Sequence, residues 1–250
     1  MAYSMLTRCR SWLFVPGHDT ERLADALASG ADAIVVDLEE FTPAASGDAA
    51  CQAFTGLAES CRQKGRLPMA RINALDRGGR HELALLMGAA PAAVFLPQVD
   101  ETNQLEALAS ALDSEERRWG IPPGTTAIVP TLESRLGVER ANDLLRTSPR
   151  IAAALLGTGD LARDLGLSAA QRSAALVPFR QRFLKACDDT DILAIDGPWP
   201  ETHGFDDDQV WSRQCGFRAR CVVDTRQVEP LHRLLTTPSS LTIHSKRSRT

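Results

Sequence analysis

A single α/β domain folded as a (β/α)8 TIM barrel is what this sequence predicts, and three observations predict it. Short apolar runs of strand length alternate with helical patterns along the chain without a break. About eight such pairs can be counted, the number that closes a barrel, and 250 residues fit one. Two successive runs each end in a carboxylate, Glu133 and Asp160, followed by a helical pattern with its own glycine. An open doubly wound sheet would leave several of the units unaccounted for.

Residues 11–15 read as a buried strand stopped by Pro16-Gly17, and Asp19 or Thr20 caps a helix whose Leu23 and Leu27 share a face until Gly30. The second strand covers 32–37 and runs into Leu38-Glu39-Glu40, which completes a βαβ unit. A helix over about 48–64 precedes the strand 68–73, whose exit holds Arg71 and Asn73 on one side. A helix over 79–87 leads to the strand 92–96, ended by Pro97, and a long helix over about 101–118 leads to the Glu133 strand. Beyond Asp160 a helical stretch over 169–188 leads to the strand 192–196. The last repeat is a helix over 206–215, a strand over 220–223 and a helix over 225–235. Residues 1–237 therefore form the barrel, and 238–250, Ser/Thr-rich with three basic residues, are expected to be a disordered basic tail.

With 44% hydrophobic and 24% charged residues a sizeable core is within reach, and a net charge of −4 argues against a nucleic-acid surface or attraction to anionic membranes. Six scattered cysteines show no C-x-x-C pair and no histidine at zinc-finger spacing, so free and mostly buried thiols are expected. The run Trp12-Leu13-Phe14-Val15 is too short for a signal peptide, and no run reaches membrane-spanning length. The expected setting is cytoplasmic, and the expected partner is a small molecule.

Strand ends and the loops behind them converge on one face of such a barrel. That face gathers Glu39, Glu40, Arg71, Asn73, Gln98, Glu133, Asp160 and Asp196. Glu133 and Asp160 suit a hard divalent cation such as Mg2+, with water and substrate completing its shell. Capping of the following helices is the competing role for both. Arg71 would neutralise a substrate carboxylate or enolate, or pair with Glu39 as scaffold, and Asp196 would face the substrate or orient its turn. The histidine positions indicate no Ser-His-Asp triad, Gly157-Thr158-Gly159 lacks the third glycine of a dinucleotide fingerprint, and Lys64 and Lys185 fall in helices, away from Schiff-base positions. Metal-assisted chemistry is what remains.

The segments Arg10-Ser11-Trp12-Leu13-Phe14-Val15-Pro16-Gly17, Asp37-Leu38-Glu39-Glu40, Arg71-Ile72-Asn73, Leu96-Pro97, the Glu133 stretch, Gly157-x-x-Asp160-Leu161 and Ala194-Ile195-Asp196-Gly197 resemble the citrate lyase β-subunit-like branch of the HpcH/HpaI aldolase superfamily. The resemblance implies a Mg2+-dependent barrel enzyme that makes or breaks a carbon-carbon bond in 3-hydroxy-acyl substrates, commonly CoA thioesters. It implies metal ligation by Glu133 and Asp160, and catalytic roles for Arg71 and Glu39. Substrate contacts are expected from Arg71, Gly157 and Asp196, with the base among Glu39, Glu40 and a metal-bound water. Departures at Glu40, Gln98, Gly159 and Asp224 touch the CoA side of the family pattern more than the metal side. The partner is then a small carboxylic acid or an acyl-CoA, and the family implies a homo-oligomer, a trimer or a multiple of one. A class II pyruvate-type aldolase acting on free acids, and a catalytically idle barrel with a binding or regulatory role, are the alternatives.

Overall fold

The computed structural model describes residues 5–199 and 203–236; the expected tail at 238–250 lies outside the described residues. Eight strands follow in chain order: β1 (Ser11–Pro16), β2 (Ala33–Asp37), β3 (Leu67–Arg71), β4 (Ala93–Leu96), β5 (Ala127–Leu132), β6 (Ala153–Leu156), β7 (Leu193–Asp196) and β8 (Ala219–Val222). Each pairs in parallel with the next, and β8 closes on β1, giving the expected α/β barrel. Every strand residue is buried except the first of β3 and of β7. Strands covered on both faces read as unbroken apolar runs, which is why they show no alternation in the sequence.

The interior is a packed core. Trp12 and Phe14 meet the edge of Phe95 with ring centroids 5.8 and 5.1 Å apart. Alanines 33, 93, 127, 153 and 219 on the same inward row leave room for those rings. The other row, with Leu13, Ile34, Val94 and Leu156, packs on the helices. This division fixes what reaches the mouth. Continuing the inward row upward gives Asp37 after Val35, Arg71 after Met69, Thr131 and Glu133 after Val129, and Gly157 after Leu155. Asp196 follows the inward Ile195, and so belongs to the row that faces the helices.

The first helices are α1 (Thr20–Ala28), capped by the Asp19 side chain, α2 (Gly47–Gln63), α3 (Arg80–Leu86) and α4 (Thr102–Trp119). Behind Glu133 the single helical pattern resolves into α5 (Arg135–Glu139) and α6 (Ala141–Leu145). After β6 come α7 (Thr158–Asp164), which holds Asp160 in its first turn rather than at the strand end expected for it, α8 (Ala169–Ala175) and α9 (Val177–Asp188). The helix expected over 169–188 is thus two, because Pro178 stands in the first turn of α9, where its missing N–H costs nothing, and cannot continue the helix before it. The barrel ends with α10 (Phe205–Cys215) and α11 (Val228–Thr236). Among the described residues no helix is long and apolar enough to cross a membrane. All six cysteines are free; five are buried and Cys215 is half-buried, as expected.

Candidate active site

A cavity of about 310 Å³ opens at the carboxyl ends of the strands, and Arg71, Glu133, Gly157, Asp160 and Asp196 all line it. Residues drawn from four different repeats therefore meet in one place.

Glu133 stands one residue past β5 and is almost wholly buried, with 6% of its surface exposed. It does not cap α5. Ser134 does so, its Oγ accepting the N–H of Gly137. Glu133 Oε1 accepts the backbone N–H of Gln98 at 2.7 Å. To aim that N–H, Gln98 adopts a positive φ of 53°, and its carbonyl is fixed by Gln104 Nε2 at 2.9 Å. On the neighbouring strand Leu156 pairs with Leu132, so Gly157 comes up beside Glu133. A Cβ on Gly157 would lie 2.5 Å from Glu133 Cβ and 2.6 Å from its Oε2. Glycine is required here by close approach; its φ of −78° is open to any residue. Gly157→Ala is accordingly expected to push the Glu133 side chain aside, at a cost of about 1–3 kcal/mol. The check is thermal melting; an unchanged melting temperature would show that Glu133 can move without consequence.

Burial pushes the Glu133 carboxyl up to about 7, against the pull of the Gln98 N–H and of Arg71, while Glu39 and Glu40 push it higher. The Glu133 carboxyl itself has no full counter-charge.

Arg71 supplies only part of one, because it is shared among other carboxylates. Asp37 and Arg71 are register partners on β2 and β3, both on the inward row, and they form a bidentate pair at 2.7 and 2.6 Å. Arg71 Nη1 lies 3.3 Å from Glu39, and Nη2 lies 3.2 Å from Glu40. Asp37 also accepts the backbone N–H groups of Glu39 and Phe41, so the acidic loop folds around it. Thr42 ties the loop down by donating to the Asp37 carbonyl and accepting the N–H of Gly17. Glu39 is half-buried; burial raises its pKa, and the Asp37 and Glu40 charges add to that against Arg71.

Asp160 is half-buried in the first turn of α7 and is ion-paired with Arg163 one turn on. Asp196 is fully buried, and its carboxylate is occupied: Arg180 grips both oxygens, Ser212 Oγ donates at 2.5 Å, and the Gly197 N–H donates at 2.9 Å.

The family model for HpcH/HpaI aldolase/citrate lyase matches residues 10–216. The chain belongs to that family. It is similar to the citrate lyase subunit beta of Escherichia coli, 26% identical over 242 residues that span 95% of this chain and 80% of that protein. It is also similar to a (3S)-malyl-CoA thioesterase of Cereibacter sphaeroides, 25% identical across 88% of this chain and 74% of that one. In fold it matches the CitE protein of Mycobacterium tuberculosis in complex with magnesium and acetoacetate, with a TM-score of 0.76 at 23% identity over 94% of this chain and 93% of that one. This is a family of carbon-carbon lyases and aldolases with barrel folds, and solved relatives in it contain magnesium.

In this member of the HpcH/HpaI family the donors suit such a cation. Among the described residues no three His, Cys, Asp or Glu side chains gather into a ready cage, so a cation would rest on two carboxylates and water. Carboxylate oxygens are the ligands a hard cation takes, and Glu133 is held deprotonated only with difficulty unless positive charge arrives. Thr131 Oγ1, two residues back on the same inward row, is buried without a hydrogen-bond partner.

Four functional neighbours escaped the sequence reading. Asp37 is the partner that orients Arg71. Arg180, Asp208 and Arg220 form a chain below the mouth in which Asp208 binds Arg180 at 2.8 Å and Arg220 at 2.6 Å. Arg220 carried a signal: a charged residue inside a four-residue strand that is otherwise apolar must be paired. Arg180, one of several polar positions in its helix, carried none.

Proposed function

We propose that this chain makes or breaks a carbon-carbon bond in a small 3-hydroxy acid or 2-keto acid, with Mg2+ held by Glu133 and Asp160. The observation that carries this reading is Glu133 itself: an acid buried on the inward row, seated against a glycine, in the same cavity as Asp160 and Arg71. The names of the relatives support it, since they combine citrate, malyl-CoA, magnesium and acetoacetate. An acyl-CoA remains within the substrate class on that support.

The cation would supply a Lewis acid at the substrate's carboxylate and adjacent oxygen. Glu39 is the base of the proposal. Its raised pKa strengthens its hold on a proton, and it sits beside Arg71, which lines the cavity. It takes the proton of the 3-hydroxyl; the oxygen's electron pair closes to a carbonyl, the carbon-carbon bond breaks, and its electrons pass to the other fragment as an enolate. Arg71 lies against that developing charge, and the enolate carbon then recovers the proton. Asp196 acts in this scheme by fixing Arg180 at the cavity wall, and Gly157 by letting substrate and Glu133 approach.

Thermal melting tests the reading. Mg2+ followed by pyruvate, oxaloacetate or acetyl-CoA at a hundred times Kd should stabilise the fold by about 2.7 kcal/mol, or about 5–10 °C for a chain of this size. Glu39→Gln should keep that shift and lose at least about 100-fold in turnover. If no ligand moves the melting temperature, the enzyme reading fails and the idle barrel stands.

A further inference from the structure

The cavity has a cationic side of which the proposed chemistry uses Arg71 and leaves the rest free for other work. Five arginines line it: Arg71, Arg163, Arg172, Arg180 and Arg220. Arg71 is matched by Asp37, Glu39 and Glu40, Arg163 by Asp160, Arg180 by Asp196 and Asp208, and Arg220 by Asp208. Arg172 is different. Among the described residues no carboxylate is paired with it, and its Nε is buried with no hydrogen-bond acceptor. It projects from α8, a helix with no buried residue of its own, so packing of the core does not explain its place at the cavity.

A guanidinium N–H cut off from water and left without an acceptor is in an unfavourable state, which an anion entering the cavity relieves. The Nε–H and Nη–H of arginine form a fork that fits the two oxygens of a carboxylate. A cavity of about 310 Å³ is at the small end for ligand pockets, so a compact acid with both ends enclosed fits better than a long thioester.

We propose that Arg172 is the subsite for a second carboxylate of the substrate, and so the residue that sets the preference of this chain for dicarboxylic over monocarboxylic acids. This rests on the reading that the cavity takes one acid group beside Glu133 and Asp160. Arg163 joins the subsite when Asp160 turns from it to a cation, so that the two cationic side chains of the segment from α7 to α8 share the far carboxylate.

Oxaloacetate and pyruvate differ by one carboxylate, and titration calorimetry of the full chain with Mg2+ distinguishes the two ends of the cavity. The wild-type protein should prefer oxaloacetate by at least about tenfold, and Arg172→Gln should weaken oxaloacetate about 10- to 100-fold while changing pyruvate by less than about threefold, the range for a charged hydrogen bond. Arg172→Lys should recover part of the loss. Because α8 buries nothing, Arg172→Gln should melt as the wild type does, which circular dichroism checks. Equal weakening of both acids, or unchanged oxaloacetate binding, overturns the subsite. So does loss of affinity for coenzyme A alone, since that would give Arg172 to a phosphate. If pyruvate binds without any preference for oxaloacetate, only this inference fails; if neither acid binds the wild type, the lyase reading fails with it.

Discussion

Glu133→Gln is expected to make the metal-free protein more stable at pH 8 while removing its response to Mg2+ and its turnover. Folding buries the carboxyl and raises its pKa from an ordinary 4.5 to about 7. A raised acid favours the folded state when protonated, so its contribution is fully present below about pH 4.5 and is lost as pH rises through 7. Above that pH the ionised, desolvated group costs up to about 3 kcal/mol, at about 1.4 kcal/mol for each tenfold change in acidity. Glutamine keeps the acceptor for the Gln98 N–H and the shape that Gly157 accommodates, but carries no charge. The variant should therefore melt about 3–10 °C higher at pH 8, and the difference should close towards pH 5. Added Mg2+ should raise the wild type and leave the variant where it is. A binding site commonly sacrifices stability in this way, and a variant less stable than wild type at pH 8 would show that the buried charge is already compensated.

Arg71→Ala is expected to have the largest effect on stability. Asp37 is fully buried, and among the described residues its only charged partner is Arg71. Breaking a buried pair by removing one member leaves the other charge uncompensated, which costs about 3–5 kcal/mol. Urea denaturation should show that loss, and substrate affinity should fall because the guanidinium beside Glu39 and Glu40 at the cavity is gone. Adding Asp37→Asn to Arg71→Ala should return part of the stability by removing the stranded charge, without restoring affinity. A loss below about 1 kcal/mol in the single variant would mean that water solvates Asp37 once the arginine is absent.

Much of the mouth was legible along the chain. On β5 the two-residue period from Ala127 carries through Val129 and Thr131 to Glu133, so one strand start was enough to aim that carboxylate inward. Asp196 shows where this stops working. The run from Ile192 to Ile195 is apolar at every position, because helices cover one face of β7 and the barrel core covers the other, and such a run does not say which residue faces in. The carboxylate went to the helix layer, where Arg180 and Ser212 hold it. The single helix expected over 169–188 failed at Pro178, a breaker visible in the chain whose effect depended on where the flanking turns packed.

The sequence by itself determined the alternation of strands and helices, hence the closed barrel, and it placed acids and one arginine at the strand ends, because both follow from residue order and backbone period. Which of those charges are committed was decided only in three dimensions. Arg71 is held by Asp37 from the neighbouring strand, Asp196 by Arg180 from the helix above, and Glu133 is left desolvated without a full partner. Protonation and ligand affinity depend on burial and on the distance between groups from different repeats, and neither distance nor burial is written in the order of the residues.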